Sequence, residues 1–101
     1  MNKNTKQSES EIFSFPCSFP IKIMGLNKPQ LEKLIIKTFH DHLSEKDQKT
    51  MEINKNVSKH ENYLSITVTF QATSKKQLDD IYKDLSKHCG KEDDKIIKMI
   101  L

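Results

Sequence analysis

The sequence predicts an α+β fold, a two-layer sandwich with its elements in the order β-α-β-β-α-β. The clearest observation is the segment from Tyr63 to Ala72, in which apolar and polar residues alternate over the length of a long strand. Two further stretches, residues 31–39 and 78–85, carry apolar residues at helical spacing, and each follows residues that favour a helix start. Polar clusters separate these segments, so each is predicted to be a separate element.

The 101 residues are enough for one domain with one hydrophobic core. Residues 1–11 are almost entirely polar and are expected to form a disordered N-terminal tail, because they cannot bury enough apolar surface to offset the loss of chain entropy. The folded domain is expected to cover residues 12–101, where the apolar periodicity begins.

The first half of the domain is predicted to contain one strand and one helix. The strand covers residues 18–24, where every second residue is apolar, and Gly25 ends it. Asn27 is expected to cap the helix, with Gln30 three residues further and Pro29 in the first turn, where a missing N–H costs nothing. Residues 44–49 are predicted to be a polar loop. The core-facing side of the helix consists of Leu31, Leu34, Ile35, Thr38 and Phe39.

The second half is predicted to contain a hairpin, a helix and a last strand. A weak strand over residues 51–57 and the strong strand from Tyr63 to Ala72 are joined by a turn at residues 58–62. Ser74 and Gln77 form a capping-box pattern before the second helix, and Gly90 is the expected residue after its end. Residues 96–101 form the last strand.

This order predicts a ferredoxin-like βαββαβ two-layer sandwich, an antiparallel four-stranded sheet in the order 4-1-3-2 with two helices on one face. Right-handed crossovers then place the first strand–helix turn, the hairpin tip and the end of the second helix at one end of the domain, the top. Cys17, the start of the second helix and Leu101 fall at the bottom.

The residues also carry a resemblance to a known family. The segment from Phe15 to Gly25, FPCSFPIKIMG, resembles the opening signature of the YbeD-like family of small bacterial proteins, and the ending IKMIL resembles that family's last strand. Residues 63–87 are similar in pattern and spacing, whereas the longer polar N-terminus and the charged residues after Gly90 depart from the family pattern. The resemblance implies a ferredoxin-like fold similar to the ACT-type regulatory domains of metabolic enzymes. By analogy alone it implies a regulatory binding role, because the family's biochemical role is unassigned.

The charge pattern argues against nucleic acid and membranes as partners. The net charge is only +3, acidic residues are interleaved with the basic ones, and all 17 basic residues are lysines. Arginine is the residue best suited to bidentate phosphate and base contacts, so its absence disfavours nucleic-acid binding. No run approaches the roughly 18 apolar residues of a membrane span, and the N-terminal residues lack the apolar segment of a secretory signal. The protein is therefore expected to be cytoplasmic.

No metal, cofactor or disulfide is expected. The chain has four histidines, and no Cys–His spacing is typical of a zinc site: His40, His42, His60 and His88. Cys17 and Cys89 fall at opposite ends of the predicted sandwich, further apart than the roughly 7 Å between Cα atoms that a disulfide tolerates. Both are expected to be free, buried or half-buried thiols.

No catalytic residue is predicted. The sequence has no G-x-S-x-G, P-loop or G-x-G-x-x-G motif, and Gly25 and Gly90 are its only glycines. The clustered carboxylates are expected on solvated helix and loop faces, where they lack the pocket that acid–base catalysis needs: Asp79, Asp80, Glu92, Asp93 and Asp94.

The helix-free face of the sheet, the open face, is expected to be polar. Alternation assigns to it residues from three strands: Lys22, Met24, Ser65, Thr67, Thr69 and Lys98. RNA-binding sheets of this topology stack bases on aromatic residues of their central strands, and those positions here are lysine, serine and threonine. Lys22 and Lys98 could receive an anion, although a lysine that extends its ammonium group into water is commoner.

The strongest candidate for a small-ligand site is the turn formed by Gly25, Leu26, Asn27 and Lys28. Free N–H groups at a helix start attract carboxylates and other anions, and ACT-type domains, which the fold resembles, bind amino acids near this turn at a dimer interface. The alternative is that Gly25 only permits a tight turn and that Asn27 only caps the helix.

These observations predict a non-enzymatic regulatory or small-ligand-binding module similar to ACT-type domains, with a small anionic metabolite as its ligand. The alternative is a protein-interaction module that uses an edge strand or the open face. The sequence is also compatible with a homodimer. RNA binding is the least favoured interpretation.

Overall fold

The computed structural model describes residues 14–58, 60–92 and 94–101. The predicted tail at residues 1–11 lies outside the described residues, as do residues 12 and 13 of the predicted domain. In chain order the elements are β1 (Cys17–Leu26), α1 (Pro29–His42), α2 (Glu45–Thr50), β2 (Glu52–Val57), β3 (Tyr63–Ala72), α3 (Lys75–Ser86) and β4 (Ile97–Ile100).

The four strands form one antiparallel sheet in the order β2-β3-β1-β4, which is the predicted order counted from the other edge. The central strands β1 and β3 pair along their whole length, from Cys17 opposite Ala72 to Leu26 opposite Tyr63. The helices pack on one face, so the predicted ferredoxin-like sandwich is confirmed.

The core lies between the sheet and the helices, where the alternation placed it. On the two central strands Ile21, Ile23, Ile66 and Val68 are each 0% exposed. The buried side of α1 meets them with Leu31, Ile35, Thr38 and Phe39, and α3 adds Leu78, Ile81 and Leu85. Within residues 14–58, 60–92 and 94–101, no helix lies on the other face of the sheet.

The predicted cap of α3 is confirmed, and its glutamine also joins the two long helices. The N–H of Gln77 donates to Ser74 Oγ at 3.1 Å. The Gln77 side chain accepts from the N–H of Thr73 at 2.8 Å and donates to the carbonyl of His42, the last residue of α1, at 2.9 Å. The end of α1 is therefore tied to the start of α3.

The predicted polar loop at residues 44–49 is wrong, because α2 occupies this segment. Ser44 caps it by accepting from the N–H of Asp47 at 3.2 Å, and Gln48 donates to the carbonyls of His40 and Leu43. The helix buries none of its own residues, so it has no apolar periodicity to reveal it.

Both glycines differ from their predicted roles. Gly25 does not end β1, which continues to Leu26, and neither glycine has a positive φ angle. Gly90 does not follow α3 directly, since the helix ends at Ser86 and Lys87 caps it in a right-handed helical conformation. The N–H of Gly90 instead donates to the carbonyl of Ile97 at 3.0 Å and covers the outer edge of β4 there.

The strand β2 forms the other edge of the sheet. Lys55 lies opposite Ile66, so its side chain is on the helix-facing side, where its Nζ forms an ion pair with Glu32 of α1 at 3.0 Å. Val57, two residues further, is 54% exposed on the same side.

Cys17 and Cys89 are both free and half-buried. Cys17 pairs with Ala72 at the bottom of the sheet, whereas Cys89 pairs with Ile97, which lies opposite Gly25. The eight residue steps along β1 from Cys17 to Gly25 span roughly 25 Å, which is too far for a disulfide between Cys17 and Cys89. Among the described helices, none is both long and apolar enough to cross a membrane.

The two faces of β3 should respond very differently to a charge. Ile66→Asp places an unpaired carboxylate where the native side chain is 0% exposed, and we expect it to lower the free energy of unfolding by roughly 3 kcal/mol or more. Thr67→Asp, on the half-exposed open face, should cost less than about 1 kcal/mol. Urea denaturation checks both, and equal losses would mean that the two faces are reversed.

Candidate functional site

The predicted ligand turn is more tightly packed than a ligand-binding loop. A Cβ atom added to Gly25 would collide with the carbonyl oxygen of Ile96 and would lie 2.9 Å from Leu31 Cδ1. The missing side chain of Gly25 therefore makes room for the chain before β4 and for α1, and these groups fill the space that a ligand was expected to use.

The amides of this turn donate hydrogen bonds within the protein. Leu26 donates to the carbonyl of Ile96 at 3.0 Å, Asn27 to that of Asn62 at 3.1 Å, and Lys28 to that of Leu26 at 2.8 Å. The anion site at residues 25–28 stays a prediction, but these three N–H groups are not free to support it.

The predicted capping role of Asn27 is wrong. The N-cap of α1 is Lys28, which makes no side-chain hydrogen bond to the helix, while Pro29 lies in the first turn as predicted. The Asn27 side chain instead donates to the carbonyl of Glu61 in the β2–β3 turn at 3.0 Å. It thus joins the two turns that were both predicted at the top of the domain.

The predicted open-face residues lie on the helix-free side, but the structure does not gather them at one point. Lys22 is exposed and lies opposite Thr67, and Thr69 lies opposite Pro20 nearer the bottom. Lys98 is half-buried at the top, where its Nζ donates to the carbonyls of Gly90 at 3.3 Å and Glu92 at 3.0 Å.

Part of the upper open face, on β1, on β4 and at the start of β3, is apolar, and the alternation in the sequence did not reveal it. Leu26 lies opposite Tyr63, and Met24 lies between Ser65 of β3 and Met99 of β4. Leu101 exchanges two backbone hydrogen bonds with Lys22 and therefore lies on the same face. We call these five residues the apolar stripe: Met24, Leu26, Tyr63, Met99 and Leu101. Three of them are large and strongly exposed, at 46% for Tyr63, 47% for Met99 and 59% for Leu101.

The top of the stripe forms an open depression with a volume of about 510 Å³. Its lining combines four members of the stripe with two lysines and a glycine: Met24, Leu26, Tyr63, Met99, Lys91, Lys98 and Gly90. The described lining contains no carboxylate. The site therefore offers apolar surface, one phenol group and positive charge, a combination suited to binding an apolar group that carries a negative charge.

A second polar cluster joins the two long helices on the other side of the sheet. His42 Nε2 and Asp84 Oδ2 are 2.5 Å apart, and Lys87 Nζ lies 3.3 Å from Asp84 Oδ1. The hydrogen bond with His42, followed by that with Lys87, lowers the pKa of the Asp84 carboxyl below its usual value. No local pattern in the sequence links His42 with Asp84, because the two residues lie 42 positions apart.

The remaining histidines are exposed, namely His40, His60 and His88. Within residues 14–58, 60–92 and 94–101, no three His, Cys, Asp or Glu side chains come together as a group that could hold a metal ion. Burial raises the pKa of the Tyr82 phenol, which packs against the core.

The fold and the open face define a small α+β domain in which the described residues leave one face of the sheet without a helix. Residues 10–100 match the family model described as a protein of unknown function, DUF493. The chain is 43% identical over 77 residues to a UPF0250 protein of Paraburkholderia phytofirmans, covering 76% of this chain and 84% of that protein. It is 36% identical over 81 residues to one of Nitrosomonas europaea, covering 80% and 91%. The chain therefore belongs to the DUF493/UPF0250 family of bacterial proteins, which confirms the YbeD-like resemblance.

A solved structure supports the fold independently of sequence. The solution structure of protein HP0495 from H. pylori is similar with a TM-score of 0.56 and covers 86% of this chain and 82% of its own. Its sequence identity is 14%, so the likeness concerns the fold alone.

The packing around Gly25 gives a stability test with a matched control. Gly25→Ala should lower the free energy of unfolding by about 1–3 kcal/mol, because the backbone oxygen of Ile96 cannot move away without disturbing β4. At Gly90 the added methyl group meets the flexible end of the Glu92 side chain, so Gly90→Ala should change stability much less. Chemical denaturation compares the two, and a Gly25→Ala protein as stable as the wild type would contradict this packing.

The Asp84 cluster gives a pH-dependent test. Because its pKa is lowered in the folded state, ionised Asp84 stabilises the fold above the carboxyl's unfolded pKa, and this contribution is lost as pH falls through the folded pKa. Asp84→Asn should therefore be less stable than the wild type at pH 7, and the difference should shrink towards pH 3. Urea denaturation across this range measures it, with Asp41→Asn as the control, since Asp41 pairs with Lys37 on a single helix. A constant difference at every pH would contradict the assignment.

Proposed function

We propose that this protein is a non-catalytic binding module of the bacterial cytoplasm that contacts a protein partner through its open sheet face. The observation that carries the proposal is the apolar stripe, whose members Tyr63, Met99 and Leu101 are strongly exposed. Large apolar side chains that adjoin one another on a surface are typical of interaction sites, whereas scattered ones are not. Their position on one face of two paired strands and an edge strand supplies a continuous contact surface.

The open face supports this role better than the edge strand does. The outer edge of β4 is partly covered by residues 88–90. The edge of β2 carries Lys55 on its helix-facing side, paired with Glu32, and a strand added there would have to pack beside this ion pair. The open face has no such obstacle among the described residues.

A second candidate is the regulatory role expected from the likeness to ACT-type domains, with a small anionic metabolite as the ligand. The depression favours it, since its volume of about 510 Å³ falls in the range usual for small-ligand pockets, roughly 300–1,000 Å³. In this version the ligand would bind beside the predicted turn, against Leu26 and Lys98, rather than to the turn's own amides.

Site-specific photocrosslinking in living bacteria tests the proposal. A photoreactive phenylalanine analogue is placed at Tyr63 or Met99, and in a control at Val57, which is similarly exposed on the opposite side of the sheet. We expect discrete heavier products from positions 63 and 99 but not from 57, each identified by mass spectrometry as this chain joined to another protein. Products from position 57 alone, or no product from 63 and 99, would contradict the proposal.

A further inference from the structure

The dimensions of the apolar stripe match one face of a helix. The stripe occupies successive open-face rows, with Leu26 and Tyr63 in the first, Met24 and Met99 in the second and Leu101 in the third. Rows two residues apart are separated by roughly 7 Å, so the stripe is roughly 14 Å long. A helix covers about that length in two to three turns, and the apolar residues at i, i+3, i+4 and i+7 form a stripe of this kind.

Three lysines lie beside the apolar stripe. Lys22 lies beside Leu101, while Lys91 and Lys98 line the depression at the other end. None of these lysines forms an ion pair with a described carboxylate. Lys98 donates to the carbonyls of Gly90 and Glu92, and an ammonium group has three N–H donors, so the bonds within the described residues use two of the three.

The same charges disfavour a second copy of the chain as the occupant. In a two-fold symmetric contact centred on the stripe, each protomer would bring its own Lys22, Lys91 and Lys98 to the shared surface. Next to the lining of the depression, the described Glu92 places its carboxylate against Gly90, so one acidic group per protomer would accompany three lysines. Like charges facing each other across an interface are unfavourable, whereas a partner with carboxylates would pair with all three.

We propose that the apolar stripe receives an amphipathic helix of a protein partner, with its apolar side on the stripe and with glutamate or aspartate along its borders. The inference rests on the proposed binding function and specifies the chemistry of the partner. The helix would form a second helical layer on the sheet, opposite α1 and α3.

Two synthetic 18-residue peptides serve as probes. Both carry leucine at i, i+3, i+4 and i+7 positions, and the border positions are glutamate in one peptide and lysine in the other. Each is titrated into the full isotope-labelled chain while amide chemical shifts are followed. We expect the acidic peptide to bind at least tenfold more tightly than the basic one and to shift amides of Met24, Tyr63 and Met99.

Matched variants separate the stripe from the rest of the surface. Met99→Gln should weaken the binding of the acidic peptide at least tenfold. Val57 is a similarly exposed apolar residue outside the stripe, so Val57→Gln should leave the affinity for this peptide unchanged. Lys91→Gln should lower the affinity for the acidic peptide several-fold, whereas Lys83→Gln, on the exposed side of α3, should leave this affinity unchanged.

Several results would overturn the inference. Equal affinity for the two peptides would be one such result, and amide shifts confined to α1 and α3 would be another. A third would be shifts of the stripe amides that depend on protein concentration in the absence of peptide, since these would indicate a second copy of the chain on the stripe. Binding to phosphatidylserine vesicles without binding to the acidic peptide would point to a membrane instead. If the photocrosslinks form but the acidic peptide does not bind, the binding face stands and the acidic-helix assignment fails.

Discussion

The pairing of β1 with β3 determines both the core and the open face. Each register pair places two side chains on the same side, so Ile23 opposite Ile66 contributes to the core, while Leu26 opposite Tyr63 contributes to the apolar stripe. A slip of one residue would exchange the two sides of a strand, exposing isoleucines and burying Lys22. The burial of the helix-facing side therefore fixes the composition of the open face as well, although none of the described helices lies on that face.

The fold could be predicted wherever burial leaves a periodic pattern. The bounds of β3 were predicted without error, and the helix stripes and the strand order were also correct, because each depends on side chains that meet the core. The helix α2 was missed because it buries nothing, and its formation depends on the local cap at Ser44. Asn27 was assigned to the cap of α1 because its position before the helix favours that role, whereas its hydrogen bond to the carbonyl of Glu61, 34 residues away, leaves no local pattern in the sequence.

The candidate site was only partly predictable. Alternation assigned Met24 to the open face correctly, but the apolar character of part of the upper half depends on neighbours from three different strands. The pairing of β1 with β4 shifts between Met24 and Gly25, and this irregularity brings both Lys98 and Met99 to the depression. It accompanies the close approach of Ile96 to Gly25, a contact between distant parts of the chain that no local pattern indicates.

The ion pair between Lys55 and Glu32 has a consequence for the behaviour of the protein at high concentration. β2 is an edge strand of six residues whose outer side is unpaired within the described chain. If β2 of one molecule paired with β2 of the next, stacked sheets would have to enclose the Lys55–Glu32 ion pair in a dry interface, where the loss of hydration of both charges is costly. The lysine should therefore help to prevent growth into amyloid-like fibrils. The protein can thus keep an apolar surface on its sheet while the edge strand β2 does not pair with β2 of another molecule.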